Sequence, residues 1–338
     1  MKKALSIKDI AEAAGVSITT VSFILNGKAR EKAISQKVIQ KVEQIIEEWG
    51  YQPNPLAQSL RTGNSYIIGL IVEDISNPFF SAIARMIEYK AYQKGYKIIY
   101  SSTGNEVKKA KDLIQMFKSR KVDAYIISPI RGIEEDIRDL ISSRKQVVLF
   151  DRDLEGLNVD YVGVDHFKAS AEATTCLINK GRKKIALVTI DLEFRQINDR
   201  LEGYRQTMES RHLYDEHLVL KIPFGQPENE SLEQIKMLLS KRKPDAILFA
   251  TNYLAINGLM ALKALNKTIG DDLDVIAYDD HVAFKLLSPQ ISAVEQPLEA
   301  IADKVIDLAL NRSSAGSGGV TQQIVLPAKL IWRNGAQH

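Results

Sequence analysis

The chain has 338 residues, 45% of them apolar and 26% charged, with a net charge of +3 and one cysteine. That length suits two or three soluble domains. No apolar run reaches the roughly eighteen residues a membrane span requires, and the lone Cys176 excludes an internal disulfide and fits a reducing cytoplasm. The charge is uneven: residues 1–63 hold nine Lys or Arg against six Asp or Glu, and the rest holds 36 of each. A basic excess confined to the first fifth of a chain points to nucleic acid. The opening MKKALSIKDIAEAAGV is broken by Asp9 and Glu12 before any apolar run develops, so no signal peptide is expected.

The first element is a helix from Ser6, with Asp9 three residues on completing a capping box and Ile7, Ile10, Ala11 and Ala14 forming an apolar stripe. Gly15 stops it in a left-handed turn. Ser17 caps a second helix whose buried side is Val21, Ile24 and Leu25, and Asn26-Gly27 ends it. Helix, glycine turn and a second helix buried on one side match the DNA-binding helix-turn-helix. A third helix follows Ser35, with Val38, Val42, Ile45, Ile46 and Trp49 as its inner face and Gly50 at its end. The next segment, YQPNPLAQSLRTG, has Asn54 as cap and Pro55 as first helical residue, and Gly63 stops it after about two turns. A helix so short needs a partner to be stable. Leu56 and Leu60 share one side of it, and Leu60 can wedge between base pairs in a minor groove.

From residue 66 apolar strands alternate with helices. Strands are expected at 66–72, 97–101, 124–127, 147–150 and 161–164, then at 185–189, 219–222, 246–250 and 275–278. Such continuous apolar runs suit parallel strands covered on both faces, joined in right-handed βαβ units. Two sets imply two similar lobes, about 66–165 and 166–290, with 291–335 crossing back and 313–319 (SSAGSGG) a loop before the last strand. Ligands of open α/β sheets sit at the carboxyl ends of strands. The polar residues there are Asp74, Asn77, Ser128, Asp151, Arg152, Asp165, Thr189, Asn252 and Asp279, with Phe79 and Phe80 after the first strand. Carboxylates, amides and arginine beside aromatic faces suit a polyhydroxylated ligand.

The strings IKDIAEAAGVSITTVSFILNGK, GYQPNPLAQSLRTG and IGLIVEDISNPFF resemble the LacI/GalR family of bacterial repressors, as do RLEGYRQTM, PDAILFATN, DLDVIAYDD and VEQP further on. The resemblance covers nearly the whole chain. It implies an α/β protein with a helix-turn-helix headpiece (1–50), a hinge helix and linker (51–65), and a two-lobed type I periplasmic-binding-protein-like core of parallel sheets (66–338). It implies that the second helix enters the major groove, with Ser17, Ile18, Thr19 and Phe23 toward bases, Thr20, Ser22 and Asn26 toward phosphates, and Ala57 and Leu60 of the hinge helix on the DNA. Phe23 stands where the family most often has an arginine that reads guanine. In the core it assigns Arg200 and Asp279 to the effector, with Asp151 and Asn252 at frequent pocket positions. Tyr253 departs from the family's Asn-Asp pair and narrows the pocket or stacks on the ligand, and Phe194-Arg195 lies in a ligand-selecting loop.

The expected protein is therefore a cytoplasmic homodimer that represses from a pseudo-palindromic DNA operator under control of a small carbohydrate effector, with no cofactor and no metal. A sugar-binding protein without regulatory role would share the core but has no use for the headpiece. An enzyme would need a motif that is missing: there is no GxxxxGK[ST], HExxH, GxGxxG or nucleophile elbow, and the histidines at 166, 212, 217, 281 and 338 lack metal-ligand spacing.

Overall fold

The computed structural model describes residues 5–51, 63–311 and 320–333. They divide into two compact units, with the boundary after Tyr66.

The first unit is a three-helix headpiece. Helix α1 (Ile7–Ala14) starts at the capping box of Ser6 and Asp9 and ends at Gly15, whose φ of 70° no β-carbon-bearing residue adopts cheaply. Helix α2 (Ile18–Leu25) follows, its N-terminus capped by the Ser17 hydroxyl, which accepts from Thr20 N–H at 3.0 Å. Helix α3 (Gln36–Trp49) closes the bundle over a core of Ile10, Ala11, Ala14, Val21, Ile24, Ala29, Val42 and Tyr51. Trp49 does not belong to the inner face: it is 44% exposed. The last turn of α3 outruns the two short helices it packs on, and the left-handed Gly50 folds the chain back so that Tyr51 fills the space instead.

The second unit is an α/β core of two six-stranded sheets. The first contains β1 (Ile67–Val72), β2 (Lys97–Ser102), β3 (Ala124–Ile127), β4 (Gln146–Phe150), β5 (Asp160–Val164) and β11 (Gln323–Leu326), all parallel, in the order β11-β5-β4-β3-β1-β2. The second contains β6 (Ile185–Asp191), β7 (Val219–Pro223), β8 (Ala246–Phe249), β9 (Asp274–Tyr278), β10 (Ser292–Glu295) and the antiparallel β12 (Lys329–Ile331), in the order β12-β10-β9-β8-β6-β7. Central strands such as β1, β3 and β9 are buried along nearly their whole length, as strands covered on both faces must be.

Helices supply that cover. On the first sheet, α4 (Pro78–Gln93) packs on one face, and α5 (Val107–Ser119) and α6 (Glu134–Ser142) on the other. On the second, α7 (His166–Asn179) and α8 (Arg195–Ser210) share a face, opposite α9 (Glu228–Arg242), α10 (Asn252–Ala264) and α11 (Val282–Leu286). Helices α7 and α8 approach closely because Gly203 has no side chain: a β-carbon there would lie 2.2 Å from the Phe167 carbonyl oxygen.

The stretch after residue 290 is divided between the lobes. Strand β10 joins the second sheet; α12 (Leu298–Asn311) returns to pack beside α4 on the first; β11 pairs with β5, and β12 pairs with β10. Among the described residues the chain therefore passes between lobes at 164–166, 295–298 and 326–329. No helix of the described residues is long and apolar enough to cross a membrane.

Candidate functional site

In the headpiece, α2 is the element with one buried and one open side. Val21 and Ile24 are buried, whereas Ile18 is 47% exposed and Thr19 is exposed beside it. Phe23 is half-buried on the open side, under the Lys32 ammonium, which lies 5.4 Å from the ring centre. Ser17, Thr20, Ser22 and Asn26 form a polar edge. The Ser17 and Thr20 hydroxyls are 2.9 Å apart, and the Asn26 amide donates to Ser22 Oγ at 3.3 Å. Hydroxyls and amides along a helix edge are groups that can bond phosphate oxygens. The expected hinge positions Asn54, Pro55, Leu56, Ala57 and Leu60 lie outside the described residues.

The second candidate site lies in the core, between the two lobes. It is lined from the first lobe by Glu73, Asn77, Phe79, Phe80, Asp151 and Arg152, and from the second by Ile190, Gln196, Ile197, Arg200, Thr251, Tyr253, Asp279 and Gln296. These residues meet because strands of both sheets end there. About 50 Å³ of this cleft is open, room for a few waters. It adjoins a wider groove of about 640 Å³; Phe79, Asp279 and Gln296 contribute to both, and Asn252 lines the wider groove alone.

Two aspartates stand at matching places. Asp151 follows β4 and Asp279 follows β9, and both take positive φ, 63° and 62°. Left-handed aspartate costs free energy that the surrounding structure must supply. Burial raises both acids above the ordinary carboxylate range, Asp151 to about 7, although Arg200 pulls each the other way. Ser128 Oγ donates to Asp151 at 3.2 Å, and Gln296 Nε2 donates to Asp279 at 2.6 Å.

Arg200, 4% exposed, stands on α8. Its Nη1 donates to the Ala250 carbonyl at 2.6 Å, its Nε to His166 Nδ1 at 3.3 Å, and its guanidinium lies 4.2 Å from the centre of the Tyr278 ring. Burial, and then the charge of Arg200, hold His166 well below its usual pKa, so the imidazole stays neutral and can accept that bond. Arg152 pairs with Glu73 and donates to Asn105 Oδ1 at 2.6 Å, with Phe194 of the other lobe 4.1 Å beneath its guanidinium. Tyr253 Oη is held protonated up to about 12, chiefly by burial.

Asn77 caps α4 through Phe79 N–H and accepts from Asn252 Nδ2 at 3.1 Å, joining the lobes. Ser128 sits behind Asp151 and takes no part in the lining. Asp74 stays out of the cleft: exposed, it turns outward to accept from Ser76 N–H at 2.8 Å and Ser76 Oγ at 2.6 Å. The preceding residue, Glu73, faces inward in its place, as strand alternation at the end of β1 requires. Asp165 is a helix cap for α7. Sequence reasoning did not single out Gln196, Thr251 or Gln296. Gln296 lies at a crossover and Gln196 in the first turn of α8, places with no polar-after-strand signature. Two buried polar atoms of the lining, Gln196 Oε1 and Arg152 Nε, have no hydrogen-bond partner among the described residues. Buried polar groups left unmatched are costly, and here they offer both donor and acceptor capacity to a guest.

Comparison with known proteins agrees with both halves. Residues 6–54 match the model for bacterial regulatory proteins of the lacI family, and residues 174–335 match that for a periplasmic binding protein-like domain. The HTH-type transcriptional regulator DegA of Bacillus subtilis (strain 168) is 31% identical over 335 residues, 97% of each chain. The sucrose operon repressor of Pediococcus pentosaceus is 30% identical over 327 residues, 96% of this chain and 97% of its own. Among solved structures, the lac repressor dimer bound to operator and the anti-inducer ONPF shares the fold with a TM-score of 0.83 at 22% identity, over 98% of this chain and 99% of its own. These relatives are regulators rather than enzymes. With both parts matched in order and relatives aligned nearly end to end, the chain belongs to the lacI family of bacterial regulatory proteins and is a DNA-binding transcription regulator.

Proposed function

We propose that the protein is a homodimeric repressor whose affinity for a pseudo-palindromic operator is set by a small polyhydroxylated effector, a sugar or sugar derivative, held between the core lobes. The observation that carries this reading is the cleft itself. Arg200 and two raised aspartates stand there with unmatched Gln196 and Arg152 atoms and the apolar faces of Phe79 and Phe80. Hydroxyls both donate and accept, so they can satisfy such a set, and the C–H face of a sugar ring can rest on the aromatics. That one relative is a sucrose operon repressor supports the ligand class.

Each headpiece takes one half-site, with Ser17, Ile18, Thr19 and Phe23 toward base edges, and Thr20, Ser22 and Asn26 toward phosphates. Ala57 and Leu60 act from the hinge segment in the minor groove. Effector binding moves the lobes about the crossovers and changes the operator-competent population, which requires only a difference in effector affinity between the two arrangements.

The test takes the full chain in two steps. Selection from a random duplex pool should enrich an inverted repeat. A panel of mono- and disaccharides should then contain members that raise the melting temperature of the core and change affinity for that repeat. Enrichment of no sequence overturns the operator; no thermal or affinity response across the panel overturns the effector class.

A further inference from the structure

The open side of α2 presents the half-buried Phe23, and a phenyl ring donates no hydrogen bond. What the ring lacks stands over it. The Lys32 ammonium lies 5.4 Å from the Phe23 ring centre, within the range of a cation–π contact. The loop that brings it there is built rather than slack. Lys28 N–H donates to the Phe23 carbonyl at 2.9 Å and Lys32 N–H donates to the Lys28 carbonyl at 3.1 Å, so two backbone bonds tie position 32 to position 23. The far end of the loop is pinned too. Ala29 is 7% exposed in the headpiece core, Ile34 packs against that core, and Ile34 N–H donates to the Ala29 carbonyl at 3.0 Å. Lys32 has no ion pair among the described residues, so no carboxylate draws its charge away.

We propose that Phe23 and Lys32 form one composite reading head, in which Phe23 covers a thymine methyl or similar apolar surface and Lys32 donates to the O6 and N7 of a neighbouring guanine. The inference rests on the operator reading above. A separation of 5.4 Å spans about one to two base-pair steps of about 3.4 Å, so the two groups address adjacent positions of one half-site. Lysine is a donor only, and guanine is the base that turns two acceptors toward the major groove. The ring holds the ammonium beside the surface that Phe23 presents, so the two groups act on the same stretch of a half-site.

The experiment is selection from a random duplex pool with the full chain as wild type, Lys32→Ala, Phe23→Leu and the double variant, followed by affinities for the selected site and its single-base variants. The wild type should require guanine at one position of each half-site. Lys32→Ala should lose roughly five- to a hundredfold of that preference, the range of one good base contact, and keep its preferences elsewhere. Phe23→Leu should weaken the same guanine preference, and Lys32→Ala should matter much less in the Phe23→Leu background. A uniform loss of affinity for all sequences, with the log–log salt slope reduced by about one per headpiece, would make Lys32 a phosphate contact and overturn the proposal. Unchanged specificity in Lys32→Ala overturns it as well. Helical circular dichroism of each variant checks the fold; should Phe23→Leu unfold the headpiece, the exposed Lys32→Ala still decides alone. A wild type that enriches no sequence overturns the operator reading itself, a result distinct from an operator that lacks the guanine.

Discussion

Asp151 is an acid whose position works against its charge. Its side chain is 7% exposed, and burial raises its pKa to about 7 against an ordinary 3.8. A raised carboxyl contributes stability that is full below the unfolded pKa, is lost as pH rises toward about 7, and stays lost above it. The shift corresponds to roughly 4 kcal/mol at most. Asp151→Asn should therefore flatten the fall of core melting temperature from pH 4 to 8 and stabilise the effector-free core at neutral pH, while weakening the response to effector. A wild-type profile retained in the variant would show that another group titrates. Arg200 offers a separate check. Arg200→Ala removes donors from Ala250 and His166, so it should cost about 1–3 kcal/mol of core stability. It should also abolish the effector's influence on operator affinity, leaving effector-free DNA binding in place, as paired binding isotherms would reveal.

Among elements, the turn between β6 and α8 holds a clasp. Three consecutive residues of the second lobe reach the first: Glu193 bonds Arg131 at 3.2 Å, Phe194 lies under Arg152, and Arg195 bonds Asp153 at 2.8 Å. The outer ion pairs are exposed and worth little each; Phe194 packs against apolar clusters of both lobes. Phe194→Ala should speed effector dissociation more than tenfold, read by stopped-flow fluorescence, whereas Glu193→Ala should change it less than threefold. The α7–α8 contact carries a different expectation. Gly203→Ala should lower the melting temperature by several degrees, because the new methyl meets a backbone carbonyl that cannot retreat. The sequence displayed these helices clearly, since capping residues and apolar stripes are local. It did not display the clasp, because nothing local distinguishes Phe194 from a phenylalanine in any surface turn. Asp74 was misread for a related reason: which of two adjacent carboxylates faces the cleft depends on where β1 ends.

For the whole molecule, strand–helix alternation was enough to anticipate two lobes, and the nine strands expected between 66 and 278 all form within two residues of their expected limits. The tail was harder to read. Strand β11 has four residues and pairs with β5, Gln323 against Tyr161, across most of the second lobe's sequence; no window of local pattern contains both partners. The same interleaving makes a prediction. In α12, Ile301, Ala302, Val305, Ile306 and Ala309 are buried in the first lobe's core. A fragment of residues 67–165 alone leaves that surface bare and should aggregate or bind a hydrophobic dye without a cooperative melting transition. Co-expression with a second fragment carrying 166–338 should restore one.

The positive φ of Asp151 and Asp279 has a consequence beyond strain. Each aspartate ends the fourth strand of its own lobe, and the first five strands of each lobe run in the same order. They are thus the same position in two copies of one repeated unit, and both line the cleft. A guest between the lobes would meet the same acid from either side. The neighbouring residues differ: Arg152, after one aspartate, lines the cleft, whereas Asp280, after the other, is paired with Arg333 and Lys285 outside that lining. A guanidinium in the lining directly after one aspartate, and none directly after the other, gives the cradle a polarity, so a ligand with unlike ends meets different neighbours at its two ends.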